Sequence, residues 1–76
     1  MSTSVLQDVR GLPPSAKLVF KVLEFEGELT QKELVERTQL PSRTVRYALT
    51  NLEEVNAIEK RINFMDARQR IYTSRG

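Results

Sequence analysis

Apolar residues recur along the chain first with helical and then with strand periodicity. In LPPSAKLVFKVLEFEG, residues 12–27, apolar side chains repeat at helical spacing. Proline is tolerated only in the first turn of a helix, so Pro13 and Pro14 mark a start, and Gly27 provides a left-handed stop. A first helix is therefore predicted between them. The apolar positions that indicate it are Leu18, Val19, Val22, Leu23 and Phe25.

A short strand and a second helix are predicted next. The tripeptide ELT, residues 28–30, is long enough for one short strand. Thr30 and Glu33 have the spacing of a capping box, in which each side chain satisfies the other residue's free backbone amide. The second helix is expected from about Gln31 to Thr38, with Leu34 and Val35 facing inward.

The stretch TQLPSRTVRYALTNLEE, residues 38–54, predicts a turn and a third helix over about 41–55. At about 100° per residue, four apolar side chains share one side of this helix. They are Val45, Ala48, Leu49 and Leu52. The opposite side carries Arg43, Tyr47 and Thr50, with Arg46 at its flank, so one face is expected in the core and the other is presented. Asn56 is expected to be a left-handed cap.

The period changes to two in IEKRINFMDARQRIYTSR, residues 58–75. Ile58, Ile62 and Phe64 alternate with polar neighbours, MDARQ is turn-like, and residues 70–73 alternate again. This pattern predicts a β-hairpin with a charged tip. At the other end of the chain, residues 1–12 are expected to form a tail, although Val5, Leu6 and Val9 could form a helical turn that packs on the domain or on a partner.

Composition narrows the function classes. Seventy-six residues suffice for one small domain. The chain has no cysteine and no histidine, so the usual zinc ligands and the commonest general base are absent. No catalytic site, metal or cofactor is expected, and the chain is not expected to be an enzyme. With no apolar run of membrane-spanning length and no signal-peptide core, a cytoplasmic protein is expected.

Charge is segregated along the chain. Residues 37–52 carry +3 and residues 60–76 carry +4, whereas residues 24–36 carry −4. If the two basic segments converge in space, they form a surface suited to a polyanion. An ordinary mixed surface is the alternative, and charge alone leaves both open.

The order of helix, short strand, helix, turn, helix and hairpin resembles the winged helix-turn-helix DNA-binding core of MarR-type transcription regulators from bacteria and archaea. The resemblance covers about residues 14–75 and is strongest in LTQKELVERTQLPSRTVRYALTNLEEVNAIEKR, residues 29–61. That segment has the Leu-Thr start, the Leu-Pro/Ser turn, Thr-Val-Arg at the head of the third helix and Leu-Glu-Glu at its tail. Met65-Asp66-Ala67-Arg68 resembles the Asp-x-Arg motif of the family's wing. Asn56 replaces the usual glycine, and the long flanking helices that dimerise MarR-type proteins are not in this sequence.

The resemblance implies an α+β fold, with a tail at 1–12 and a winged helix-turn-helix domain at 13–76. It implies a sequence-preferring regulator that binds double-stranded DNA, with the helix at about 41–55 in the major groove. The wing at about 58–75 would lie on the adjacent minor groove or backbone. A homodimer is expected, because one helix reads only a few base pairs, and no membrane or small-molecule partner is evident. The alternative is a winged-helix module that binds protein within a larger assembly.

Individual DNA-binding roles follow from docking of the third helix. Arg46 and then Arg43 are expected to contact base edges, since arginine fits the guanine edge. Phosphate or backbone contacts are expected from Ser42, Thr44, Gln31 and Lys32. Tyr47 could contact DNA or shield Val35. The resemblance places Arg68 in the minor groove with Asp66 orienting it, and Arg70 completes the predicted set.

Each assignment has a structural alternative. Arg43 and Arg46 could lie on a solvated helix face with ion pairs, although no acid occurs between Arg37 and Glu53. Arg68 could serve only the solubility of the hairpin tip. Packing is the expected role of Tyr72, and edge-strand solubility is the expected role of Lys60 and Arg61.

Overall fold

Between residues 14 and 74, within the part of the chain that the structure describes, three helices and three strands follow one another in the predicted order. The computed structural model describes residues 9–66 and 68–75. The elements are α1 (Pro14–Glu26), β1 (Glu28–Thr30), α2 (Gln31–Thr38), α3 (Ser42–Glu54), β2 (Ile58–Ile62) and β3 (Arg70–Ser74). The α+β winged helix-turn-helix architecture is thereby confirmed. Within the part of the chain that the structure describes, no helix has the length and hydropathy needed to cross a bilayer.

The three strands form one antiparallel sheet in the order β1-β3-β2. Leu29 of β1 and Lys60 of β2 both lie opposite Tyr72 of β3. The short strand at 28–30 therefore fastens the hairpin to the segment that leads directly into α2. This pairing fixes the position of the wing relative to the start of α2.

The core lies between the three helices and the inner face of the sheet. The inward face predicted for α3 is correct, because Val45, Ala48, Leu49 and Leu52 are all buried. Leu34 of α2 is buried too, whereas Val35 is half-buried at the edge of the core. The buried residues contributed by the other elements are Ala16, Val19, Phe20, Leu23, Leu29, Ala57, Ile58 and Tyr72.

The apolar positions of α1 divide between two faces. Val19 and Leu23 are buried, together with Phe20, which the sequence pattern did not single out. Leu18 and Phe25 are exposed, Phe25 by 88%. At about 100° per residue, both lie more than about 140° from the centre of the buried face. Helical spacing thus predicted the helix correctly, but two of the five residues that indicated it face away from the core.

Local hydrogen bonds at the helix ends match most of the sequence signals. Glu33 N donates to Thr30 Oγ1 at 3.2 Å and Thr30 N donates to Glu33 Oε1 at 2.9 Å, which confirms the capping box. Gly27 ends α1 with φ 96°, and Asn56 follows α3 with φ 58°, as predicted. Gln39 also has a positive φ, 62°, and supplies the left-handed residue that turns the chain from α2 towards α3.

The tail prediction falls largely outside the described residues. Val5 and Leu6 are outside the described residues, and so are residues 67 and 76. Val9 is helical and buried against the core, and its carbonyl accepts a hydrogen bond from Leu12 N at 3.0 Å. The described end of the 1–12 segment is therefore packed on the domain.

Candidate nucleic-acid interface

The outward face of α3 is basic and uncompensated. Arg43, Arg46 and Tyr47 are exposed, as the helical periodicity predicts. Among the described residues, no carboxylate lies within ion-pair distance of Arg43 or Arg46. The alternative of a solvated face stabilised by ion pairs therefore has no support within the described chain, and both guanidinium groups are available to an external anion.

The start of α3 is open, in contrast to the start of α2. Pro41 occupies the position before α3, and no side chain caps the helix there. The first intrahelical bond runs from Val45 N to Pro41 O at 3.0 Å, so the amides of Ser42, Arg43 and Thr44 precede the helical hydrogen-bond ladder. An uncapped helix start directs backbone N–H groups and a positive dipole end at an incoming anion.

A side-chain bridge joins the starts of α2 and α3. Gln31 Nε2 donates to Ser42 Oγ at 3.0 Å and to Ser42 O at 3.4 Å. These residues were predicted separately as DNA-backbone contacts. The bridge places them side by side and fixes the separation of the two helix starts.

A cleft of about 150 Å³ lies between the start of α2 and the wing. It brings together Gln31, Lys32, Arg68 and Arg70, all four of them predicted contact residues. Thr30, Gln69 and Tyr72 complete its lining. The segments around Lys32 and Arg70 are far apart in sequence, so folding, and not local composition, produces this concentration of positive charge.

The wing tip holds Arg68 in a defined turn. Arg68 N donates to Asp66 Oδ1 at 3.0 Å, and the same oxygen lies 3.6 Å from Arg68 Nε. The Arg68 side chain is otherwise 94% exposed. Asp66 therefore contacts both the backbone and the guanidinium of Arg68, which is the geometry that the wing motif implies.

Tyr72 lies on the side of the wing that faces the core. Its side chain is buried in the centre of the sheet, as expected. Burial raises the pKa of the Tyr72 phenol, with a further contribution from Glu53. Lys60, Arg70 and Arg46 lower that pKa, so the positive charges of α3 and of the wing both act on this ring. Tyr72 thus lies where the fields of the two basic elements overlap.

The candidate interface is the set of nine predicted residues on α2, α3 and the wing. Its three parts are adjacent, since the Gln31–Ser42 bridge joins α2 to α3 and residues of α2 and of the wing line the same cleft. Thr44 is half-buried and the other α3 members are exposed. The nine residues are Gln31, Lys32, Ser42, Arg43, Thr44, Arg46, Tyr47, Arg68 and Arg70.

Four of the described cations outside the candidate interface form ion pairs with carboxylates. Lys60 lies 3.4 Å from Glu53, and Arg61 forms an ion pair with Glu28. Their partners lie on other elements, so the pairs were not visible in the local sequence. The remaining pairs are Arg37–Glu26 at 3.6 Å and Arg75–Glu59 at 3.2 Å.

Two exposed apolar residues at the wing tip were not predicted. Phe64 was expected to continue the strand alternation, but β2 ends at Ile62 and Phe64 lies in the following turn beside Met65. Both side chains are almost fully exposed. The turn-like character of MDARQ, extended by one residue, was the signal that could have placed Phe64 outside the strand.

The described residues contain no group of three or more acidic, cysteine or histidine side chains arranged to hold a metal ion. The groups that the fold does concentrate are guanidinium, ammonium, hydroxyl and amide donors. Such donors bind anions and base edges.

The fold is that of MarR-like winged helix-turn-helix domains. No protein-family model matches the sequence, and no curated protein matches it. Among solved structures, the YusO protein of Bacillus subtilis is 25% identical with a TM-score of 0.79, over 92% of this chain and 51% of that one. Reduced AbfR bound to DNA is 25% identical with a TM-score of 0.77, over 92% and 52%. The S. aureus MepR–DNA complex is 20% identical with a TM-score of 0.77, over 93% and 58%.

These similarities confirm the resemblance drawn from the sequence. The neighbouring structures are MarR-family winged-helix regulators. The chain spans about half the length of the solved structures it matches. The likeness therefore concerns the winged helix-turn-helix portion of those proteins.

Proposed function

We propose that this chain is a sequence-preferring DNA-binding domain of a transcription regulator and that the candidate interface contacts double-stranded DNA. The proposal rests on the convergence of binding groups from three elements of the fold. Positive and hydrogen-bonding groups from α2, α3 and the wing, which lie far apart in sequence, share one connected surface. Polyanion binding needs such a surface, and no core or interior packing requirement produces it.

In this proposal α3 enters the major groove. Its 13 residues span about 20 Å, and the major groove of B-DNA, about 12 Å wide, admits a helix. Arg46 is the first candidate for a guanine edge and Arg43 the second, because both are exposed and neither has a carboxylate partner among the described residues. Tyr47, exposed on the same face, contacts a base or the adjacent backbone.

The two helix starts hold the phosphates. Ser42 and Thr44 lie in the uncapped first turn of α3, where free backbone amides add to their hydroxyls. Gln31 orients Ser42, and Lys32 contributes a point charge beside it. Contacts of this kind fix the register of a protein on the duplex without carrying sequence information.

The wing lies on the flanking minor groove or backbone. Arg68 projects from the tip with Asp66 holding its backbone and side chain, and Arg70 lines the cleft behind it. An arginine with a restricted direction loses less side-chain freedom on binding. Narrow A·T-rich minor grooves attract such a residue through their deeper negative potential.

Neighbouring structures support DNA as the partner. AbfR and MepR were solved bound to DNA, and each aligns with more than nine-tenths of this chain. We extend the proposal to the cytoplasm as location and to a homodimer as the active form, because two symmetric domains read two half-sites.

The exposed side of α1 supports an interface with a second copy. Leu18, Val22 and Phe25 follow one another at helical spacing; Leu18 and Phe25 are exposed on the face opposite the core, and half-buried Val22 packs against the edge of the core. The same stripe is the observation that favours the second candidate function, a winged-helix module that binds a protein in a larger assembly. DNA binding distinguishes the two, because only the regulator requires the basic surface of α3.

A salt series tests the proposed function. Fluorescence anisotropy with duplex DNA should show binding whose log–log dependence on salt has a slope of roughly −4 to −5 per monomer, if about four to six phosphates are neutralised. The solution mass measured in parallel tests the homodimer. No binding at low salt, or a flat salt response, would remove the regulator and leave the protein-binding module.

A further inference from the structure

Phe64 and Met65 occupy the outermost corner of the wing. Asp66 N donates to Asn63 O at 3.1 Å, which closes a β-turn whose two central residues are Phe64 and Met65. Phe64 is 99% exposed and Met65 is 93% exposed. These are the most exposed large apolar side chains in the described part of the molecule.

Hydrogen bonds of the flanking residues fix the conformation of this corner. Asn63 Oδ1 accepts from Met65 N at 2.9 Å, and Asn63 N donates to Gln69 O at 3.2 Å. A second turn follows, in which Gln69 N donates to Asp66 O at 3.0 Å and Arg68 occupies a central position. Two consecutive turns therefore present an apolar pair and an arginine from the same tip.

The apolar pair is too small to be a protein interface by itself. A stable interface buries about 800 Å² per partner, whereas an aromatic side chain contributes about 150 to 250 Å². The groove that Phe64 and Met65 line adds Ile62 and Ile71 but is bordered by the charged Arg61. A partner that also binds the neighbouring cations does not need an apolar contact area of this size.

Charge complementarity identifies that partner as duplex DNA. Arg68 shares the tip with the apolar pair, and Lys32 and Arg70 line the cleft behind it. A phosphate backbone attracted to these cations would bring the tip against a minor groove. Apolar side chains inserted there wedge between base pairs and unstack them.

We propose that Phe64 and Met65 form an apolar wedge that enters the minor groove and unstacks one base step beside the site contacted by α3. The inference rests on the proposed function, because the cations of the candidate interface deliver the wedge to the groove. It adds to that function a deformation of the DNA, and with it a preference for flexible pyrimidine–purine steps at the position of the wing.

The test uses a duplex that the protein selects from a random-sequence pool, with 2-aminopurine replacing adenine at successive positions. Unstacking raises 2-aminopurine fluorescence, and anisotropy on the same samples reports binding. With the wild-type protein, fluorescence is expected to rise at one step in the flank of the site. Phe64→Ala should abolish the rise and weaken binding about 5- to 30-fold, with the salt slope unchanged because no phosphate contact is lost.

Phe64→Leu is the matched control, since it keeps a large apolar side chain of the kind that can wedge between base pairs at the same position of the tip. It should retain the fluorescence rise and bind with an affinity close to that of the wild-type protein. Binding by the wild-type protein with no rise at any position would overturn the wedge while leaving the DNA-binding function intact. Absence of binding in the anisotropy arm would overturn both. A lower solution mass for Phe64→Ala than for wild type would assign the tip to contact between copies and overturn the wedge.

Discussion

Two regions of this small domain differ in whether their cations have carboxylate partners. On the sheet and at the end of α3, Lys60, Arg61 and Arg75 each contact a carboxylate. At the starts of α2 and α3, Lys32 and Arg43 have no such partner among the described residues, and neither does Arg46 further along α3. Paired cations are neutralised within the fold, whereas the second group remains available to an external anion.

A cation that has no carboxylate partner does not by itself indicate a binding surface. Lys17 and Lys21 on α1 also have no carboxylate within ion-pair distance in the described chain. They extend from one exposed helix face, and the pocket that they line also contains Arg10 of the preceding segment and the acidic Glu24. What distinguishes the candidate interface is that three elements bring cations and hydrogen-bond donors to one place. The candidate interface therefore differs from the exposed face of α1 in the convergence of its cations and not only in their lack of carboxylate partners.

The largest expected effect comes from removing both arginines of α3. Arg43→Ala combined with Arg46→Ala should weaken binding to a selected duplex by about 2 to 5 kcal/mol, because two base-edge contacts are lost. Arg61→Ala combined with Arg75→Ala removes the same charge from the paired region and should change affinity by about threefold or less. Anisotropy titrations of the two double variants make the comparison.

Equal losses in the two double variants would show that net charge, and not position, controls binding. Val45→Ala is a necessary check, since it removes core contacts and costs about 0.5 to 3 kcal/mol of stability. Any loss of binding in that variant reflects unfolding. Circular dichroism should therefore show that both arginine double variants remain folded.

Within the candidate interface, single variants should separate base reading from phosphate binding. Arg46→Ala is expected to cost about 1 to 3 kcal/mol on the selected duplex and little on random DNA. Lys32→Ala should weaken both duplexes alike and reduce the magnitude of the salt slope by about one. Arg37→Ala, from the same helix but paired with Glu26, is the control and should leave the slope unchanged. Identical behaviour of Arg46→Ala and Lys32→Ala on the two duplexes would refute the division of roles.

The wing provides a test in which charge and geometry predict opposite signs. Arg68→Ala should weaken binding most on sites flanked by A·T-rich sequence. Asp66→Ala should also weaken it although a negative charge is removed, because the contacts that hold Arg68 at 3.0 and 3.6 Å are lost. Tighter binding by Asp66→Ala at every salt concentration, with no flank dependence for Arg68→Ala, would reduce the wing tip to a solubility feature.

The smallest effect concerns the titration of Tyr72. Its pKa is raised above the ordinary value of 10.0, so the neutral phenol is favoured in the folded state. The resulting stability is complete below about pH 10 and is lost as the pH rises through the folded pKa. Because Arg46 lowers this pKa, Arg46→Ala should raise it further. Ultraviolet titration of tyrosinate measures the change, and a Tyr47→Phe background leaves Tyr72 as the tyrosine that is observed. A lower Tyr72 pKa in Arg46→Ala would contradict the electrostatic effect of Arg46 on Tyr72.

Local sequence signals were sufficient for most of the fold. The capping box at Thr30, the stop at Gly27 and the inward face of α3 depend on residues within about two helical turns of each other, so they could be predicted. The exposed face of α1 could not be separated from its core face by spacing alone. Gln39 adopts a positive φ without being glycine or asparagine, because the turn between α2 and α3 imposes it.

The candidate site was predictable as a set of residues but not as a surface. Arg43 and Arg46 followed from helical periodicity, and Arg68 from the wing motif. The Gln31–Ser42 bridge and the cleft that joins Lys32 to Arg70 depend on how α2, α3 and the sheet pack together. The ion pairs of Lys60 and Arg61 likewise join different elements, so their partners appear only in the folded chain.

The most direct test of the candidate interface is a two-dimensional ¹H–¹⁵N NMR titration of the protein with the selected duplex. Amide shifts are expected at the start of α2, along the exposed face of α3 and at the wing tip. Arg61 and Arg75 in the paired region should change little, as should Lys17 and Lys21 on α1. Shifts centred on Leu18, Val22 and Phe25, with residues 42–47 unperturbed, would contradict the assignment of the interface.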